Sequence, residues 1–176
     1  MTWLRLPVFA AALIALAACE TVGGPPAPPK SAAPSATVFR PDDFSWSAVP
    51  GKGRIDGRLA YRRSEQRYTC AGAAVILTPE TPWTRRRMSI LYKSPTYAAL
   101  PIAEVRARTP SEPDEDYSAF IRRAVCTAAD TFTFSKLPDG AWFAITIAKP
   151  VGGQGPNLAI MRRVETRNGR AVSLGL

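Results

Sequence analysis

The chain contains no histidine. That absence removes Ser-His and Cys-His nucleophile pairs, the usual zinc ligand sets and imidazole acid–base chemistry. An enzyme built on this chain would have to run on carboxylates, lysine or tyrosine. Cysteine is scarce, at three residues: Cys19, Cys70 and Cys126. Acidic residues are outnumbered 14 to 23 by Lys plus Arg, giving a formal charge of +9. Long apolar runs are missing too. The run near the N-terminus, Leu6 to Ala17, is shorter than the roughly 20 residues a membrane-spanning helix needs.

What is present begins with that short run. Arg5 precedes it and Leu16-Ala17-Ala18-Cys19 closes it, the three-part plan of a secretory signal peptide over residues 1–18. Leu-Ala-Ala-Cys resembles the lipobox of bacterial lipoproteins. The resemblance implies that Cys19 receives a diacylglycerol on its sulfur, that the signal is cut before it, and that the new N-terminus is acylated, with palmitate the expected kind of chain. Several chains matter, because one acyl chain anchors a protein only marginally. Glu20 is not the aspartate that resembles an inner-membrane retention signal, so the resemblance points to an outer-membrane lipoprotein of the cell envelope, facing the periplasm or the outside. The alternatives are an ordinary cleaved signal in which Cys19 merely follows an Ala-rich stretch, and a short core helix of a cytosolic protein.

From Thr21 to Thr37 the composition collapses to Gly, Pro, Ala, Ser and Thr, with Pro25, Pro26, Pro28, Pro29 and Pro34. Such a stretch buries too little to fold and favours extended polyproline II, so residues 19–37 read as a lipidated stalk. At about 3.1 Å per residue it reaches roughly 50 Å. The body, residues 38–176, is one domain's worth of chain.

In the body, Val38 to Pro50 reads as an aromatic lead-in. Arg54 to Tyr61 alternates, with Ile55, Gly57, Leu59 and Tyr61 on one face, as a half-buried strand does. Arg62 to Tyr68 reads as a polar connection. Ala73 to Thr78, Arg87 to Lys93 (with Met88, Ile90 and Tyr92 on one side) and, more weakly, Ile102 to Ala107 read as strands. A helix is expected near 113–126. Pro113 suits its first turn, Asp114, Glu115 and Asp116 suit its dipole, and Tyr117, Phe120, Ile121 and Val125 make an apolar face. Strands follow at Thr131 to Leu137, with Phe132 and Phe134 inward, and at Trp142 to Lys149, with Phe143, Ile145 and Ile147 on the core side. Leu158 to Thr166 and Arg170 to Leu176 flank Asn168-Gly169, a strong hairpin signal. Together these predict a mainly β fold: an antiparallel β-sandwich of about seven strands with one inserted α-helix.

Several of these segments fall in a familiar order. Gly53-Arg54-Ile55-Asp56-Gly57 opens the body, and Ala71-Gly72-Ala73-Ala74-Val75-Ile76-Leu77 follows Cys70. Phe132-Thr133-Phe134 then leads through Pro138-Asp139-Gly140 into the strand holding Trp142 and Phe143. The order resembles the carboxypeptidase regulatory-like domain, a small transthyretin-like (prealbumin-like) β-sandwich. The match covers about half of the body. It departs where residues 80–130 exceed the family's central connection and where Asp130-Thr131 replaces the Asp-Gly step. By resemblance such domains are not catalytic and serve as folding, spacing or binding modules, so no catalytic residue carries over.

Cys70 and Cys126 remain once Cys19 is acylated, and in an oxidising compartment an even pair reads as a disulfide. The alternative is two buried free thiols. Asp114-Glu115-Asp116 is explained as a helix first turn better than as a metal or acid–base cluster. Gly152-Gly153-Gln154-Gly155 lacks the helix N-terminus that a phosphate cradle needs. Trp83 with Arg85, Arg86 and Arg87 is the candidate anion-binding patch, because guanidinium forks and an indole suit phosphates or sugar acids. The plain alternative there is a solvated loop, as a solvated surface is for the basic balance as a whole.

No cofactor and no metal is implied. An exported protein does not meet nucleic acid, so the anionic partners in reach are lipid headgroups, acidic glycans and envelope proteins. The reading is a non-catalytic, lipid-anchored binding or structural interaction module. An accessory lipoprotein subunit of an envelope secretion or polysaccharide assembly, and a carboxylate-based envelope hydrolase, are the alternatives. Cys19→Ser is expected to stop acylation and release the protein from the membrane fraction, read by mass spectrometry and fractionation. Unchanged processing and unchanged membrane association would contradict the lipobox reading.

Overall fold

The computed structural model describes residues 37–109 and 117–176. The signal segment, Cys19 and the Pro-rich stretch to residue 36 lie outside the described residues, as does the expected acidic first turn at Pro113 to Asp116.

A 3-10 turn (Pro41–Phe44) and the one-turn helix α1 (Ser45–Ala48) lead into β1 (Gly53–Arg58), β2 (Arg62–Arg63), β3 (Gln66–Thr69) and β4 (Ala74–Pro79). Helix α2 (Pro82–Tyr92), strand β5 (Tyr97–Pro101) and helix α3 (Ile102–Ala107) follow. The remaining strands are β6 (Arg122–Val125), β7 (Thr131–Leu137), β8 (Gly140–Pro150), β9 (Leu158–Thr166) and β10 (Ala171–Gly175). Two sheets result. The smaller runs β10-β1-β7. In the larger, β8 pairs β9 along one edge and β4, then β3, along the other, while β5 extends β9, β6 extends β4 and β2 extends β3.

Facing sides of the two sheets make the main core: Ile55, Phe132, Phe134, Leu137 and Leu174 from one, Val75, Leu77, Trp142, Leu158 and Ile160 from the other. A second core lies on the far side of the larger sheet, where Met88, Leu91 and Tyr92 of α2 cover Phe143, Met161 and Ala98. The β-sandwich is therefore two sheets with a third, helical layer on one of them. Close approach between β1 and β7 depends on Gly57. The Phe132 ring lies over it, and a Cβ there would come within 2.0 Å of the ring.

Several expectations are corrected. Within 113–126, the described residues form a 3-10 turn at Ser118–Phe120 and then strand β6, not a helix. Tyr117 and Phe120 join an aromatic cluster with Trp83 and Phe44, and β6 hydrogen-bonds along β4, so tertiary pairing overrides the helical spacing. The expected strand at Arg87 to Lys93 is the second half of α2, and the one at Ile102 to Ala107 is α3. In α2, Met88, Leu91 and Tyr92 are buried at helical spacing while Ile90 is 50% exposed, which breaks the apparent alternation. The polar connection at Arg62 to Tyr68 carries the short β2 and β3 strands.

Strand β8 inverts the expected faces. Trp142, Ala144 and Ala148 enter the main core, whereas Phe143 lies beneath α2 and Ile147 is 42% exposed. Asn168-Gly169 does form a tight turn, with both residues at positive φ (57° and 62°) and Arg170 N–H donating to the Arg167 carbonyl at 3.2 Å. It does not close a hairpin. Beyond it β10 crosses to the smaller sheet and pairs β1 in parallel, so that sheet is not wholly antiparallel. Asp139 secures the crossover by accepting the Asn168 and Gly169 N–H groups at 2.6 and 3.0 Å.

Cys70 and Cys126 form the expected disulfide, with a Cα–Cα distance of 5.7 Å and 56 residues of separation. It joins the end of β3 to the end of β6, both sulfurs buried in the main core. Closing a loop of that length is worth about 4 kcal/mol in the chain-entropy picture. The double variant Cys70→Ala/Cys126→Ala is expected to lose stability on that scale in urea unfolding. A loss below about 1 kcal/mol, or two titratable thiols in the unreduced wild type, would contradict the bridge's role.

Candidate functional site

The predicted patch sits on α2, whose start is written locally. Thr81 caps it and Pro82 opens it. Thr81 Oγ1 accepts from Thr84 N–H at 3.1 Å, and Thr84 Oγ1 accepts from Thr81 N–H at 2.7 Å, a reciprocal capping box. The helix ends at Lys93, which takes the left-handed conformation (φ 56°). With Met88, Leu91 and Tyr92 turned to the sheet, the polar side chains are distributed around the remaining surface.

That rotation splits the patch in two. Trp83 turns towards the lead-in, edge-on to Phe39 at 5.3 Å and to Tyr117 at 5.2 Å. Arg87 stacks on the same group, 5.4 Å from the Trp83 ring centre and 5.9 Å from that of Tyr117. This half anchors the lead-in and residues 117–120 to the helix. Arg85 and Arg86 face the other way, into an open cleft of about 550 Å³ bounded by Glu80, Thr81, Pro82 and Ser89. Glu80 is its pivot. Its side chain is 10% exposed, and its two oxygens are held by Arg85 and by Arg163 of β9. Arg86 is exposed and makes no ion pair among the described residues. Glu80 and Arg163, 83 residues apart, were not legible as site residues; only the β8–β9 pairing brings Arg163 across.

A second concavity lies on the outer face of the larger sheet beside α3. It measures about 420 Å³ and is lined chiefly by aliphatic side chains, with Tyr92 among them and Arg106 and Lys149 as its charges. No sequence pattern pointed to it, because its walls come from β4, β8 and α3.

The other candidates resolve structurally. The Gly152–Gly155 stretch is an exposed loop between β8 and β9. Cys70, Cys126 and Asp130 cluster within 4.8 Å, but the sulfurs are bonded to each other and Asp130 Oδ1 accepts from Thr69 Oγ1 (2.6 Å) and Cys70 N–H (2.8 Å). On the smaller sheet, the Arg54 guanidinium holds Asp56 below the usual carboxylate range, with Thr133 Oγ1 also donating to it at 2.9 Å. Cys19 lies outside the described residues.

No protein-family model matches the chain, and no curated protein matches it in sequence. In three dimensions it is similar to a crystal structure from Pseudomonas aeruginosa, of a protein described there as a candidate carbohydrate-binding protein. The TM-score is 0.56 at 18% identity, over 78% of this chain and 97% of that one. At that identity the likeness concerns the fold.

Burial, reinforced by nearby Tyr117 and opposed by Arg87, pushes the Tyr92 phenol up to about 12. Below pH 10, the ordinary phenol value, Tyr92 is neutral in both folded and unfolded chains. Above it only the unfolded chain ionises the group, so stability falls as pH rises from about 10 towards 12. Tyr92→Phe is expected to reduce the drop in urea midpoint between pH 9 and pH 11. An identical drop in the variant would contradict the shift.

Proposed function

We propose that the protein is a non-catalytic binding module of the cell envelope, held at the outer membrane by acyl chains on Cys19, and that it takes acidic glycan at the Glu80–Arg85–Arg86 cleft. The observation that carries the reading is Arg86. It is an exposed guanidinium without an ion-pair partner among the described residues, beside a carboxylate locked between two further arginines. Glu80 holds Arg85 in place, so its planar fork is presented at little conformational cost, and such forks match a sugar carboxylate in two parallel hydrogen bonds. Ser89, exposed at the rim of the cleft, offers a further polar contact to hydroxyls. Once residues 1–18 are removed with Arg5, 22 basic against 14 acidic residues leave a formal charge of +8, which draws polyanions in from a distance. The carbohydrate-binding description of the Pseudomonas aeruginosa fold neighbour supports the same ligand class.

Binding without turnover fits the way several carboxylates are occupied. Glu80 lies between two arginines, Asp56 is held by Arg54 and Thr133, Asp139 accepts two turn N–H groups, and Asp130 secures the disulfide turn. Each has a structural partner, which favours this reading over a carboxylate-based hydrolase. Tethering at the membrane raises the body's effective concentration near its ligand, so a modest affinity suffices.

Calorimetric titration with a uronic-acid oligosaccharide and a neutral one of equal length tests the assignment. Arg86→Gln is expected to weaken the acidic ligand about tenfold, the ~1.4 kcal/mol scale of one charge-assisted contact, without changing the unfolding temperature. Equal binding of both sugars, or full affinity in the variant, would remove the basis for the reading.

A further inference from the structure

The groove beside α3 has a different chemistry from the arginine cleft, and we infer that it binds a single acyl chain ending in a carboxylate. One wall is the outer face of the larger sheet, with Ile76 of β4 and Ile145 and Ile147 of β8; the other is α3, with Ile102 and Val105. Ile76 and Ile145 are cross-strand partners, so they form a continuous ridge. Along β8 the same face passes from Phe143 (0% exposed) beneath α2 to Ile147 (42% exposed) at the open part of the groove. An aliphatic surface has been left only half covered.

The lining chooses among occupants. Thr146 Oγ1 donates to the Ala74 carbonyl at 3.0 Å, so this hydroxyl already has its partner. With few free polar groups the groove cannot match the many hydroxyls of a sugar. Its volume, about 420 Å³, falls within the roughly 300–1,000 Å³ of small-molecule sites. Arg106 and Lys149 are its charged residues, both positive, and neither makes an ion pair among the described residues. Aliphatic walls with two cations and no lining carboxylate complement an amphiphile with an anionic head. The inference stands apart from the glycan reading, since none of these residues borders the Glu80 cleft.

The test uses the full chain carrying Cys19→Ser, titrated by calorimetry with saturated monocarboxylates of eight to fourteen carbons below their micelle concentrations. Affinity is expected to rise about fourfold per added methylene, levelling off when the groove is full. Primary alcohols of equal length are expected to bind about tenfold more weakly. Arg106→Gln/Lys149→Gln removes that difference and keeps the chain-length dependence. Ile147→Glu, at an exposed position that the fold tolerates, weakens binding more than tenfold while the near-ultraviolet circular dichroism stays unchanged. A flat chain-length series, equal affinity for acid and alcohol, or full affinity in Ile147→Glu overturns the inference. So does sedimentation showing that Ile147→Glu splits a dimer of a protein that binds no monocarboxylate, which would assign the groove to a second copy of the chain. Loss of glycan binding in Arg86→Gln leaves all of these outcomes untouched.

Discussion

Strand β8 is the constraint on which the rest depends. Its eleven residues pair with β9 along nearly their whole length on one edge, and with β4 and β3 on the other. Both of its faces are apolar and both must be covered. One face sends Trp142, Ala144 and Ala148 into the space between the sheets, and the small alanines allow the facing sheet to close on them. The other sends out Phe143, which requires a lid of its own, and α2 supplies it with Met88, Leu91 and Tyr92. A strand buried on one side alone would have needed no helical layer. Trp142 is secured further by donating its Nε1–H to Thr166 Oγ1 at 3.1 Å, with Thr166 in turn donating to the Pro138 carbonyl at 2.7 Å, so the indole's polar atom is satisfied inside the core.

From that helical lid the charged chemistry follows. Because α2 gives its apolar stripe to the sheet, the three consecutive arginines cannot act together. Successive helical positions are separated by about 100°, which sends Arg87 to the aromatic cluster and leaves Arg85 and Arg86 over the cleft. The division has a structural use on one side and leaves an available cation on the other. Glu80 stands at the junction of β4 and α2 and draws in Arg163 from β9, so the cleft is braced by the sheet as well as by the helix.

Strand periodicity and turn chemistry were legible in the sequence wherever one face of a strand was plainly polar. Ile55 in β1, Leu59 just beyond it, Phe132 and Phe134 in β7 and the bounds of β7 follow from alternation, and the bounds of β9 from the Asn168-Gly169 turn that follows it. Reading failed where both faces were apolar. In β8, Phe143, Ile145 and Ile147 outweigh Ala144 and Ala148 in hydrophobicity, yet the alanines occupy the tighter space between sheets. It failed again at α2, where Met88, Ile90 and Tyr92 mimic a strand although the chain is helical from Pro82, behind the Thr81 cap. The disulfide was legible from the count of cysteines. Its setting was not, because β6 pairs with β4 through contacts about fifty residues apart. Of the candidate patch, the arginines could be named and their separation could not.

What distinguishes this sandwich is how little helix covers so wide a sheet. Helix α2 has eleven residues and α3 has six, and they lie over the half of the outer face around Phe143, Met161 and Ala98. The uncovered half could have been made polar at no cost to the main core, since outward positions on a strand are independent of inward ones. On the smaller sheet this is the case: Arg54, Asp56, Arg58, Thr133 and Ser173 face outward there. The larger sheet instead keeps Ile145 half-buried at the edge of its lid and Ile147 beyond it, and places Lys149 two residues further on the same face. Chain-wide poverty of polar residues does not explain this, because the same chain furnishes a polar outer face on the smaller sheet. The apolar half-face runs from β8 onto Ile76 of β4, and it lies on the opposite side of the sheet from the main core, so a ligand settling there would leave the sandwich packing intact.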